Sequence, residues 1–209
     1  MNITKNLSKT VRISTVAAAI CPFAGAAEVT PVEDVPASYS LSLEAVYANA
    51  FKRADRGGVD MGGADFRWNY NIDAENQFSL GLLMLAGSEN IAANWDLDTS
   101  NLGLLAGYRF SFPLVKDKLS FHAGLRVGIA FVDYTIDSGR TGGWDHYRTD
   151  SDFCAIYAGE LGLSFALNEQ WSIRGGYELY GNTAKIGGSD AKFNEQQYHL
   201  FQLGAEYKF

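Results

Sequence analysis

From Tyr39 to the end of the chain, large apolar and small or polar residues alternate with a period of two. On the stretch 59–72, Phe66, Trp68, Tyr70 and Ile72 share one parity. Phe78, Leu80, Leu82 and Met84 do so on 76–88, and Leu102, Leu104, Tyr108, Phe110 and Phe112 on 97–113. The pattern returns in Phe121, Leu125, Val127, Ile129 and Phe131, and again in Trp171, Ile173, Tyr177 and Leu179. A period of two puts alternate side chains on opposite faces of a strand. The alternation predicts eight strands, at about 39–52, 59–72, 76–88, 97–113, 118–136, 152–167, 171–184 and 196–209. No amphipathic helix of useful length interrupts them.

The connections alternate as well. "IDAENQ", "PLVKDKL" and "LNEQW" are short and rich in Asp, Asn, Glu and Lys, the residues that make tight turns. "RADRGG", "ENIAANWD", "DSGRTGGWDHYRTDS" and "GGSDAKFNE" are mostly longer. An up-and-down barrel places all the tight turns at one end and the longer loops at the other, the asymmetry of outer-membrane barrels.

Volume decides which face is inside. An eight-stranded barrel has an interior only wide enough for modest side chains. The large apolar set cannot all fit there, so it must face outward. The opposite face carries small residues, such as Ser40, Ser42, Ala48, Gly124, Gly128, Gly162, Ser164 and Gly204. Among them sit Glu44, Arg67, Arg109, Arg126, Glu160, Arg174, Glu178 and Glu206. Four arginines and four glutamates sharing one lumen can pair into a neutral network, the condition under which buried charge is tolerated. Leu83, Leu85, Leu105, Val132 and Leu200 also fall on this face. They form either a packed layer or a slip in register.

The N-terminus has the form of a secretory signal. Lys5, Lys9 and Arg12 precede an apolar run from Ile13 to Ile20, and small residues, Ala24 and Ala26, follow at cleavage spacing. The run is too short to span a bilayer as a helix. Residues 1–26 are read as a signal peptide, with a disordered or helical arm as the other reading. Residues 27–38, with Pro31 and Pro36, are read as a short periplasmic linker, and 39–209 as the barrel domain. Cys21 leaves with the signal, since Ile20 and Pro22 flank it where a lipoprotein site needs a small residue before the cysteine. One cysteine then remains, Cys154, so no internal disulfide can form. The net charge of −7 becomes −10 once three basic residues are removed, which argues against a nucleic-acid partner.

Aromatic residues cluster near strand ends (Tyr39, Phe51, Tyr70, Phe112, Phe121, Trp171 and Phe209) as in the interfacial girdles of membrane barrels. With the signal, the eight strands and the terminal "GAEYKF", the chain resembles the eight-stranded outer-membrane β-barrels of Gram-negative-type bacteria. These are the OmpA-like and opacity-type surface proteins, often called a porin family. "LGLLAGYRFSF" is typical of them. The resemblance covers about 39–209 and implies an all-β, antiparallel, up-and-down transmembrane barrel in the bacterial outer membrane, surrounded by lipid and lipopolysaccharide. It also implies that Tyr207 and Phe209 form the signal read by the barrel-assembly machinery. Ending at the barrel, the chain departs from full-length OmpA-type proteins and is expected to be without their C-terminal peptidoglycan-binding domain.

Chemistry is sparse. Outer-membrane lipid A deacylases share this size and fold and use a His-x-Ser pair, but His122 is followed by Ala123-Gly124 and His199 by Leu200-Phe201. "TGGWDHYRTDSD" reads as a solvated loop, and the spacing of Asp145, His146, Asp150 and Asp152 fits no known metal-ligand pattern. No catalytic, cofactor or metal site is expected. The glycine pairs 57–58, 142–143 and 187–188 read as turns, without the Lys-Ser/Thr of a phosphate loop. The function expected is a structural or surface-interacting one, with loops displayed outside. Trp95, Trp144, His146, Tyr147 and Arg148 are the candidate contacts for an extracellular ligand. A narrow solute channel through the Arg/Glu lumen is the second reading, and a lipid-modifying enzyme the third.

Overall fold

The computed structural model describes residues 38–50, 59–92, 95–116, 118–138, 148–184 and 196–209. The expected signal peptide and most of the linker lie outside them. The described residues form eight strands: β1 (Ser38–Ala50), β2 (Met61–Asn71), β3 (Asn76–Ala92), β4 (Trp95–Val115), β5 (Leu119–Ser138), β6 (Arg148–Ala166), β7 (Trp171–Asn182) and β8 (Gln197–Lys208). Each pairs antiparallel with the next, and β8 pairs with β1 to close the sheet.

Closure joins the two ends of the barrel chain directly. Ser40 stands opposite Lys208 and Ala50 opposite Tyr198. The last residue extends the seam, because the Phe209 N–H donates to the Tyr39 carbonyl at 3.0 Å. Its ring packs edge-on against Tyr207, which lies 4.9 Å from Trp171. Tyr39 in turn stacks on Trp68 at 5.5 Å. A run of aromatic contacts thus borders the end of the barrel where the chain finishes.

That end carries the three short connections, and two of them share one device. In 72–75, the Asp73 carboxylate accepts the N–H groups of Glu75 and Asn76 at 2.8 and 2.7 Å. In 167–170, the Asn168 side-chain oxygen accepts those of Gln170 and Trp171 at 2.9 and 2.7 Å. A short Asx side chain that bonds the backbone two and three residues on mimics a turn and reverses the chain tightly. Pro113, which cannot donate to a ladder, sits where the β4–β5 register shifts.

The opposite, loop end differs from expectation. "ENIAANWD" is not a loop. β3 and β4 remain paired out to Ala92 and Trp95, with only residues 93–94 between them. β6 begins at Arg148, inside the segment expected to be loop. β3 to β6 are 17 to 21 residues long, against 11 to 13 for the other four strands. The exposed apolar series stops at Leu102 on β4 and Phe131 on β5, yet β5 continues to Ser138. At about 3.3 Å per residue, the four strands project on the order of 20 Å beyond that point. Strands outside hydrocarbon can be polar on both faces, so alternation loses its power to mark their ends.

The large apolar residues face outward, as volume requires. Leu125 is 72 % exposed and its neighbour Arg126 2 %. The interior is built in two tiers. The half nearer the short turns is polar. The half nearer the loop end is a packed apolar cluster that includes Val46, Met61, Leu83, Leu85, Leu105, Val132, Ile156 and Leu200. The five inward apolar residues of the sequence pattern are therefore a layer, with the register intact. Leu105 is fully buried and Leu104, on the other face, is 47 % exposed. Leu105→Ala is expected to cost about 2–5 kcal/mol through the cavity it leaves, whereas Leu104→Ala costs far less, since lipid chains fill the space. Denaturant unfolding of both variants from vesicles, followed by tryptophan fluorescence, measures the difference.

Candidate functional site

The polar tier draws side chains from all eight strands. All eight charged residues anticipated for the lumen are buried there. Arg67 on β2 is its hub. Its guanidinium reaches Glu160 on β6, across the barrel, at 2.6 Å. It also contacts Asp65 at 2.9 Å, and Glu44 and Glu178 at 3.4 Å each. One cation thus stands among four carboxylates, with its Nη2 also donating to Gln202 at 3.0 Å.

The other arginines hold fewer carboxylates, and two of them do so in two-pronged geometry. Arg126 grips Asp65 through two nitrogens, at 2.6 and 3.2 Å, and meets Glu178 at 3.0 Å. Arg109 grips Glu160 in the same two-pronged way, at 2.6 and 3.1 Å, and donates to Gln77 at 2.9 Å. The planar fork of arginine makes this bidentate match, which lysine cannot. Arg174 bridges Glu44 at 3.6 Å and Glu206 at 3.4 Å. Glu206 sits nearest the short turns, where Ser40, Asn69 and Gln77 donate to it.

The sequence pattern missed Asp65. It lies two residues from Arg67 on the same face, and that parity was the available signal. Its inclusion corrects the expected neutral count: five carboxylates face four guanidiniums. Amide donors supply the remaining hydrogen bonds, as where Gln202 donates to Glu178 at 3.3 Å. Glycine makes the space for these long side chains. A Cβ on Gly107 would lie 2.6 Å from Arg126 Cγ, and one on Gly81 2.6 Å from Arg126 Nη2.

The remaining candidates do not assemble. His122 points into the polar tier from β5 and is buried. His199 on β8 has the opposite parity, with its Nδ1 2.5 Å from the Tyr177 hydroxyl. Cys154 is an inward-facing residue of the apolar tier. Trp95 and Arg148, expected in loops, are the first residues of β4 and β6. Trp144, His146 and Tyr147 lie outside the described residues.

At its loop end the apolar tier is closed by hydrogen-bonded polar groups. Asn101 donates to the Tyr180 hydroxyl at 2.7 Å, and the hydroxyls of Tyr134 and Tyr198 both donate to Gln196. The lumen therefore runs from paired charge, through packed hydrocarbon, to a tyrosine-rich cap. Arg67→Ala would leave several buried carboxylates short of a partner. Its cost should fall at about 3–5 kcal/mol, the range for breaking a buried pair from one side, well above that of Lys208→Ala on the exposed end of β8. Equilibrium unfolding in detergent or vesicles reads both.

The comparisons agree with this architecture. Residues 14–209 match the family described as outer membrane protein beta-barrel domain. Among solved structures, Neisserial surface protein A is similar at a TM-score of 0.60 and 16% identity, covering 84% of this chain and all of its own. A major outer membrane protein from Thermus thermophilus gives 0.57 and 11%, covering 82% and 99%. The attachment invasion locus protein of Yersinia pestis gives 0.51 and 16%, covering 83% and 97%. No curated protein sequence matches the chain. At these identities the structural likeness speaks for the fold alone.

Proposed function

We propose a surface-display role for this protein. The chain belongs to the outer membrane protein beta-barrel family, and its place is the bacterial outer membrane. In such barrels the short turns are periplasmic and the longer connections outside. The projecting strands β3 to β6 then stand on the cell exterior, carried by a barrel whose lumen is packed with side chains. The packed apolar layer across the lumen is the observation that supports this reading. A conducting path would have to cross a layer in which Leu83, Leu105 and Leu200 show no exposure at all. It would also have to part an ion network that spans the barrel from Arg67 to Glu160. Wide diffusion pores use about twice as many strands.

The projecting ribbon is acidic. Asp98 and Asp133 lie on its outer face, and Glu89, Asp150 and Asp152 on its inner face. A partner with a basic surface is the match in charge. The contacts outside the cell are proposed to come from this ribbon and from segment 139–147, which holds Trp144, His146 and Tyr147, with Trp95 and Arg148 at the adjoining strand ends. Lipopolysaccharide is the proposed lipid neighbour on that side.

Two further assignments complete the reading. Residues 1–26 act as the export signal and 27–38 as a periplasmic linker. Tyr207 and Phe209 are the assembly signal. Support for the latter is the position of Phe209 on the closing seam, where its N–H bonds β1 and its ring packs on Tyr207.

Planar-bilayer recording of the purified protein should show no stable unitary conductance, and Arg126→Ala should not create one. A well-defined conductance in the unaltered protein would favour the channel reading. Deleting Phe209 should slow assembly in cells, read as loss of the heat-modifiable folded band, more than it lowers the unfolding midpoint of barrels already folded.

A further inference from the structure

The polar tier holds more negative charge than it pairs. Among the described residues it buries Glu44, Asp65, Glu160, Glu178 and Glu206 with Arg67, Arg109, Arg126 and Arg174. Matching each arginine to one carboxylate accounts for four of the five. Arg109 grips Glu160 and Arg126 grips Asp65, each through two nitrogens. Arg174 reaches Glu206 at 3.4 Å. That leaves Arg67 between Glu44 and Glu178, each 3.4 Å away. Glu44 has Arg174 as a second cation, at 3.6 Å. The second cation of Glu178 is Arg126, the one that already grips Asp65.

Placement singles out Glu178. Its direct cross-strand neighbour on β6 is Glu160, and on β8 it is Leu200, a fully buried residue of the apolar tier. Like charges directly opposite each other destabilise a strand pair, and hydrocarbon on the other side makes an ionised group costlier still. Glu178 is itself fully buried. Its hydrogen bonds are one-sided. Arg67, Arg126 and Gln202 all donate to Oε2, at 3.4, 3.0 and 3.3 Å. Oε1 is buried and meets no donor among the described residues. An ionised carboxylate accepts through both oxygens, whereas a protonated one has one accepting oxygen and one hydroxyl.

We propose that Glu178 is a proton-binding site: its carboxyl group carries one proton at neutral pH, on Oε1. The proton brings the tier to four carboxylates against four guanidiniums. A buried carboxylate without a cation of its own is neutralised more cheaply than it is kept charged. The charged groups around it come from every other part of the tier: Glu44 on β1, Asp65 and Arg67 on β2, Arg109 on β4, Arg126 on β5, Glu160 on β6, Arg174 on its own strand β7, and Glu206 on β8. His122, as an imidazolium, is the other group able to balance the count. It stands on β5 nearer the short turns than Arg126, where a Cβ on Gly162 would meet its ring. Unfolding returns Glu178 to water, where a glutamate is ionised above a pH of about 4.3. The folded protein then binds one proton more than the unfolded chain across the neutral range, so its stability falls as pH rises.

Two measurements test this. Infrared spectra of the purified protein, in a detergent free of carbonyl groups, should show the carbonyl stretch of a protonated carboxyl group at neutral pH, and Glu178→Gln should remove it. Glu178→Gln should also unfold near the midpoint of the unaltered protein, because the amide stands in for a neutral carboxyl group. Glu160→Gln, which deprives Arg109 of its carboxylate, should lower the midpoint plainly. The pH dependence of unfolding should differ between the unaltered protein and Glu178→Gln by one proton, about tenfold in the folding constant per pH unit. The unaltered protein is the one that loses stability as pH rises. Absence of the carboxyl band in the unaltered protein, or its persistence in Glu178→Gln, overturns the proposal. A Glu178→Gln protein as destabilised as Glu160→Gln does so too, since Glu178 would then be ionised. So does a pH dependence that His122→Gln removes and Glu178→Gln leaves, which would put the balancing proton on the imidazole.

Discussion

Hydrocarbon offers no partner to a backbone N–H or carbonyl, and this constraint governs the whole molecule. An open sheet edge cannot lie in the membrane, so β8 must return to β1. Everything else follows from closing eight strands. Closure makes one face of every strand lipid-facing and the other luminal, and so imposes the period of two. It also makes the lumen narrow. The end of the chain belongs to this constraint, for Phe209 adds a hydrogen bond to the seam and a ring to the aromatic border beside it.

A narrow lumen can be filled with hydrocarbon or with matched charge, and this barrel uses both. The charged tier is held by geometry as much as by attraction. Arg67 lies among four carboxylates, and the two-pronged grips of Arg126 and Arg109 fix which carboxylate each one takes. Breaking such a network from one side is costly, while replacing it wholesale by apolar packing is often neutral. The apolar tier next to it is that other solution, in the same barrel. Together they leave a rigid plug beneath the projecting strands.

Much of this was legible in the residues. The eight strands, their outward apolar face and all eight anticipated luminal charges are where the alternation put them. Leu83, Leu85, Leu105, Val132 and Leu200 were visible as inward-facing, although alternation could not distinguish a packed layer from a slipped register. Asp65 shared the parity of Arg67 and was overlooked for want of any other mark. The loop-end boundaries were not legible. Trp95 and Arg148 looked like loop residues because their surroundings are polar, yet both begin strands. Where water bathes both faces, pairing is decided by backbone hydrogen bonds with a neighbour, and those leave no trace in side-chain type.

The amino-acid sequence by itself determined the class of solution. Side chains too large to fit inside, at a period of two, with short polar turns at alternate junctions, leave an outward-apolar closed barrel as the consistent arrangement. Only the tertiary structure decided which charges meet. Arg67 and Glu160 are 93 residues apart in the chain and four strands apart in the sheet, and nothing local links them. It also decided that an apolar layer packs the lumen beside the charges, and that β3 to β6 run on past the exposed apolar belt. Each depends on register between strands. Register is a property of pairs of segments, and a single strand read alone does not contain it.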